Sequence, residues 1–148
     1  MLMRKYGTPK GIIHIGAHRL QERQTYFRYG ISNIIWIEAN EKVFAEEQNK
    51  ISKSERIFNA LISDEDNKEY DFKITNNEAS SSLLNLDKCK VYHPEVVVVD
   101  SKKLYSKKMS TLIVEENIDS KQYNFLNLDI QGAELLALRG FGEYVKDF

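Results

Sequence analysis

Two short apolar runs stand near the start of the chain, Ile12-Ile13-His14-Ile15 and Ile34-Ile35-Trp36-Ile37. Runs of this length without polar alternation predict strands buried on both faces. Arg19 to Tyr29 between them is largely polar, with Leu20 and Phe27 seven residues apart. That spacing predicts a helix with one apolar face, and Gly30 is placed to end it. Asn40 is a natural N-cap for a second helix, with Val43 and Phe44 towards the sheet. Further strands are expected over Arg56–Ile62, Tyr70–Thr75 and from Val96 towards Tyr105, the second half-exposed by its alternation. A short helix at Thr111–Asn117, a strand at Phe125–Leu128 and a helix over Gln131–Arg139 follow. Leu135 and Leu138 would share a face of that last helix, and Gly140 would stop it. Strands alternate with helices at both ends of the chain, which predicts an α/β fold with a mainly parallel sheet.

Composition narrows the class. At 148 residues and 42% hydrophobic, the chain suits a single domain with a real core. Residues 1–10 read as a lead-in and 11–140 as the working core. A net charge of −1 gives no drive towards nucleic acid or an anionic membrane. Lys102, Lys103, Lys107 and Lys108 read as a solvated basic edge. Cys89 is the sole cysteine, so no internal disulfide forms. There is no apolar signal segment and no run near the ~20 residues of a membrane helix, so a cytoplasmic location is expected.

The candidate chemistry lies at strand ends. Gly16-Ala17-His18 follows the first strand, where ligands bind in open α/β sheets. Small residues there let a ligand near the backbone, although an ordinary strand-to-helix turn reads the same way. Glu38 ends the second strand 22 residues after Gly16. A carboxylate at that place can accept from both hydroxyls of a ribose, or simply complement the next helix. Asp129, at the end of Phe125–Leu128, sits on the same edge, as ligand contact or helix cap. His14 reads as a satisfied sheet histidine and His18 as the better site candidate. No metal-ligand spacing, P-loop or Ser-His-Asp order is present. The full G-x-G-x-x-G pattern is also missing, which argues against pyrophosphate binding and so against a nicotinamide-dependent oxidoreductase.

Five segments in order carry a resemblance: Gly11 to Glu22, Ile35 to Asn40, Asn59 to Ser63, Asn76 to Leu83 and Asn124 to Glu134. They resemble FkbM-type methyltransferases, which are class I enzymes dependent on S-adenosylmethionine. The resemblance implies a Rossmann-like three-layer sandwich and methylation of a hydroxyl on a sugar or other small natural product. It implies cofactor contacts from Gly16, Ala17 and His18, from Glu38 and Ala39, from Asn59 and Ala60, from Ser81 in a serine-rich loop, and from Asp129. The acceptor proton would pass to Asp129 or His18. No metal is expected. Leu20 stands where the family usually has glycine. Family members also continue beyond the last helix with further strands, so this chain looks C-terminally truncated. A truncated sheet would leave an open edge for a second copy to cover, and a non-catalytic cofactor-binding remnant is the alternative reading.

Overall fold

The computed structural model describes residues 7–76 and 97–148. Ser81, the rest of the serine-rich loop, Cys89 and His93 lie outside the described residues. Strand β1 (Ile12–Ile15) leads through helix α1 (Arg23–Arg28) to β2 (Ile34–Glu38), then through α2 (Glu41–Glu47) to β3 (Glu55–Asn59). These strands and β7 (Phe125–Leu128) form one sheet in the order β3-β2-β1-β7, all parallel.

Both faces of this sheet are covered, which is why its central strands are apolar without a break. Ile13, Ile15, Ile35 and Ile37 pack on one face against α3 (Met109–Glu115) and α4 (Glu134–Gly140), through Leu112, Ile113 and Ala137. The alternate residues Ile12, Ile34 and Trp36 pack on the other face with Ala17, Leu20, Tyr26 and Ile31. The three layers are therefore helix, sheet, helix. Each fully buried isoleucine contributes roughly 1.5–3 kcal/mol.

A second, smaller sheet holds β4 (Leu61–Ile62), β5 (Glu69–Thr75) and β6 (Val98–Lys107) in the order β4-β6-β5, with β5 and β6 antiparallel. The strand expected over Arg56–Ile62 is thus two strands in two sheets, divided at Ala60. Asp66 ties this sheet to α3: its carboxylate accepts the Lys108 amide at 2.7 Å and the Thr111 hydroxyl at 2.8 Å.

The first and last helices differ from the sequence pattern, and α4 begins at Glu134 rather than Gln131, whose φ is 54°. Helix α1 begins at Arg23 rather than Arg19, because His18 and Leu20 have φ of 43° and 55°, outside any right-handed helix. Leu20 is still buried, but Tyr26 and not Phe27 is the helix's core residue. Gly30 does end α1, in a Schellman turn: its amide reaches the Phe27 carbonyl and the Ile31 amide reaches that of Tyr26. In α4, Leu135 is 58% exposed while Ala137 and Gly140 face inwards. Gly140 is the last helical residue and not a stop beyond it; a Cβ there would lie 2.1 Å from the Ser63 carbonyl oxygen.

Candidate active site

The parallel register brings the carboxyl ends of β1, β2, β3 and β7 to one edge. Ile15 is level with Ile37 and Leu128, and Glu38 with Asn59. Gly16, Glu38, Asn59 and Asp129 therefore share that edge. The sheet order reverses between β1 and β7, the place where an open α/β sheet leaves a crevice.

Glu38 organises the β1–β2 end. One carboxylate oxygen accepts the His18 amide at 2.7 Å and the other accepts the Asn40 amide at 2.7 Å. The side chain is almost fully buried, and burial pushes its pKa above the usual carboxylate value, although those two amides pull the other way. Asn40 also caps α2, its side chain accepting the Lys42 amide at 3.1 Å. Asn59 donates to the carbonyls of Glu38 at 2.8 Å and Ala39 at 3.2 Å, and the Ala60 amide reaches the Glu38 carbonyl. Asn59 and Ala60 thus fix the tip of β2 on which the acid stands.

The Gly16 turn is held as firmly. The amides of Gly16 and Ala17 both donate to the Ile37 carbonyl. Gly16 has φ of 87°, and a Cβ there would stand 1.9 Å from the Asp129 carbonyl oxygen. Glycine is required at this position by the crossing of two backbones, whatever else it admits. Ala17 is fully buried and offers no surface to a ligand; it supports the turn from below. His18 is half-buried, its Nδ1 3.3 Å from the Gln21 side-chain oxygen.

Asp129 is exposed at the tip of β7, its carboxylate accepting from the Gln131 amide group at 2.9 Å. Its turn is fastened by Glu134, whose Oε1 accepts the backbone amides of Ile130 at 3.3 Å and Gly132 at 3.0 Å. Sequence reasoning left this role of Glu134 open. The signal was available: a carboxylate two residues after a glycine at the start of a helix is placed to fold back on the turn. The Glu38 carboxylate and the Glu134 carboxylate thus each brace a strand-end turn, at β1 and at β7.

His14 lies behind this edge and not in it. It is buried against Trp36, with ring centroids 5.1 Å apart, and its Nδ1 is 3.1 Å from the Tyr26 hydroxyl. Asn127 donates to that hydroxyl at 2.7 Å, so the hydroxyl proton points to His14 and the ring is neutral. Burial pushes its pKa down to about 4. Among the described residues no group of histidine, cysteine and carboxylate side chains is placed to hold a metal ion, and no helix is long and apolar enough to cross a membrane.

Comparison with known proteins agrees with this architecture. No curated protein and no solved structure matches the chain. A family model, that of the methyltransferase FkbM domain, matches residues 14–148, from β1 through the edge that carries Glu38 and Asp129 to the last residue. The chain belongs to the FkbM methyltransferase domain family.

Proposed function

We propose that the protein transfers a methyl group from S-adenosylmethionine to a hydroxyl of a sugar or other small natural product. One observation carries the reading: a nearly buried carboxylate, Glu38, stands at the tip of β2 with both oxygens anchored on backbone amides. Each oxygen keeps a further lone pair, so the group can accept from two ribose hydroxyls without moving. The donor set fits this cofactor: an acid one strand from a glycine turn, and no glycine-lined cradle for a pyrophosphate.

S-adenosylmethionine supplies a methyl group already activated on a sulfonium. The protein's part is alignment and exclusion of water. Glu38, with Ala39 beside it, holds the ribose end, and the turn of Gly16 and His18 borders the methionine end. The bound donor would supply its methyl carbon to the acceptor oxygen and keep the sulfur electron pair, and the hydroxyl proton would pass to a protein base. His18, on the turn after β1, is the first candidate for that base, and Asp129 is the second.

Calorimetric titration with S-adenosylhomocysteine tests the cofactor. Micromolar binding is expected, with no response to NAD, and Glu38→Ala should weaken it about 100-fold while circular dichroism shows a folded chain. A folded wild-type chain that does not bind would sink the proposal and favour the non-catalytic remnant. For the base, His18→Ala should lower methyl transfer to a hexose panel about 100-fold; unchanged turnover would move the role to Asp129.

A further inference from the structure

A cavity of about 340 Å³ opens between the start of α2 and the β5–β6 hairpin. Its volume is at the lower end of the range for small-molecule sites. Asn40 lines it, and the backbone amide of the same residue holds Glu38. The cavity therefore adjoins the proposed ribose-binding acid through one shared residue.

The hairpin supplies the opposite wall. Its register puts Tyr70, Phe72 and Ile74 level with Leu104, Lys102 and Asp100 on one face, where Tyr70, Phe72, Ile74 and Leu104 are buried or half-buried and Lys102 and Asp100 are exposed. The other face carries Glu69, Asp71, Lys103 and Tyr105 and is exposed. Asp100 and Lys102 are thus exposed charged residues at the mouth of a cavity. A bulge at Ile74/Thr75 leaves Val99 as an extra residue on β6, so Val99 and Asp100 line the cavity together although they are consecutive.

The two lysines of the lining stand apart from the ion pairs around them. Lys103 pairs with Glu69, Lys107 with Glu115 and Lys108 with Asp66. Lys102 has Phe72 opposite it and makes no ion pair among the described residues. Lys42, also in the lining, makes no close ion pair among the described residues, although its charge helps hold down the pKa of Glu46 one turn further along its helix. Asp100 turns one oxygen onto the Ser101 amide at 2.8 Å. Two ammonium groups against one carboxylate leave a net positive wall, with apolar Ile74 and Val99 beside it.

We propose that this cavity seats a small hydroxylated molecule bearing a phosphate or carboxylate, with Lys42 and Lys102 on the anion and Asn40 and Asp100 on hydroxyls. The inference rests on the methyltransferase reading for its neighbour, the ribose-binding acid, and adds an anion-binding site beside it whose lining holds neither His18 nor Asp129. The test titrates the full chain, in the presence of S-adenosylhomocysteine, with glucose 6-phosphate, glucose and inorganic phosphate. The sugar phosphate should bind about tenfold tighter than either of the others, and Lys102→Gln and Lys42→Gln should each weaken it several-fold. S-adenosylhomocysteine affinity should be unchanged in Lys102→Gln. Equal binding of glucose and glucose 6-phosphate, or no loss in either variant, would overturn the proposal. So would no sugar-phosphate binding up to about 10 mM. Phosphate bound as tightly as the sugar phosphate would reduce the site to one for free anions and equally refute it. A wild-type chain that binds the sugar phosphate but not S-adenosylhomocysteine would instead count against the methyltransferase reading alone.

Discussion

Glu38 meets its two amide donors before any ligand arrives, so the cost of desolvating the acid falls on folding and not on binding. Its raised pKa is the trace of that cost. The sign follows: an acid whose folded pKa lies above its ordinary value withdraws stability as pH rises through that window. Gly16 is constrained differently. Its φ of 87° and the 1.9 Å from a built Cβ to the Asp129 carbonyl leave no rotamer to adjust, because the obstacle is backbone. Gly16→Ala should therefore cost about 3 kcal/mol or more in urea unfolding, from overpacking and left-handed strain together. A loss under about 1 kcal/mol would mean that the β7 turn yields.

Elements with one dominant physical cause were legible in the sequence. β1 and β2 are buried on both sides, so their apolar runs are continuous, and Asn40 and Gly30 mark helix ends by side-chain and backbone chemistry. The segment before α1 was not legible. Leu20 matches an apolar helix position, yet its φ is 55° and its side chain fills the core beside Ile12, Tyr26 and Trp36. Burial outweighs the strain, which also explains how leucine stands where the resemblance expected glycine. Leu20→Gly would relieve about 1 kcal/mol of strain but lose a buried side chain, for a net loss of about 2 kcal/mol. Equilibrium denaturation giving a gain in stability would show the strain to be the larger. The division of β3 from β4 at Ala60 was equally hidden, since the apolar pattern runs through it and only tertiary pairing separates them. At the site, the placement of Glu38 and Asp129 could be read from strand ends. The bracing by Asn59 depends on turn geometry that pattern does not reveal, whereas that by Glu134 has a local signal in its place two residues after Gly132.

Across the whole molecule, one buried polar network ties the strands together behind the site. His14 of β1, Tyr26 of α1 and Asn127 of β7 share hydrogen bonds. Trp36 of β2 stacks beside them and donates to Glu55 of β3 at 2.9 Å, and Arg23 clasps the same carboxylate. His14 titrates at about 4 when folded and at 6.5 as an ordinary histidine, so the unfolded chain takes up the proton more readily. The His14 share of stability should be full above pH 6.5 and fall by about 3 kcal/mol as pH drops towards 4, against a smaller opposite trend from Glu38. Burial raises the Glu55 pKa, but Arg23, Ser52 and Trp36 bring it below the ordinary 4.5, so its share is lost only at still lower pH. Urea unfolding across this range should show the fall in wild type and a shallower one in His14→Gln; parallel curves would remove His14 as the cause. A last consequence lies in Ala60. Asn59 closes β3 of the main sheet and Leu61 opens β4 of the second, so one residue joins these two strands. A strand residue advances about 3.3 Å, far less than any loop able to hinge. The joint has little slack, so the edge of the main sheet that carries the acid and the edge of the second sheet are held close together, and a molecule reaching from one to the other is selected by length as well as by charge.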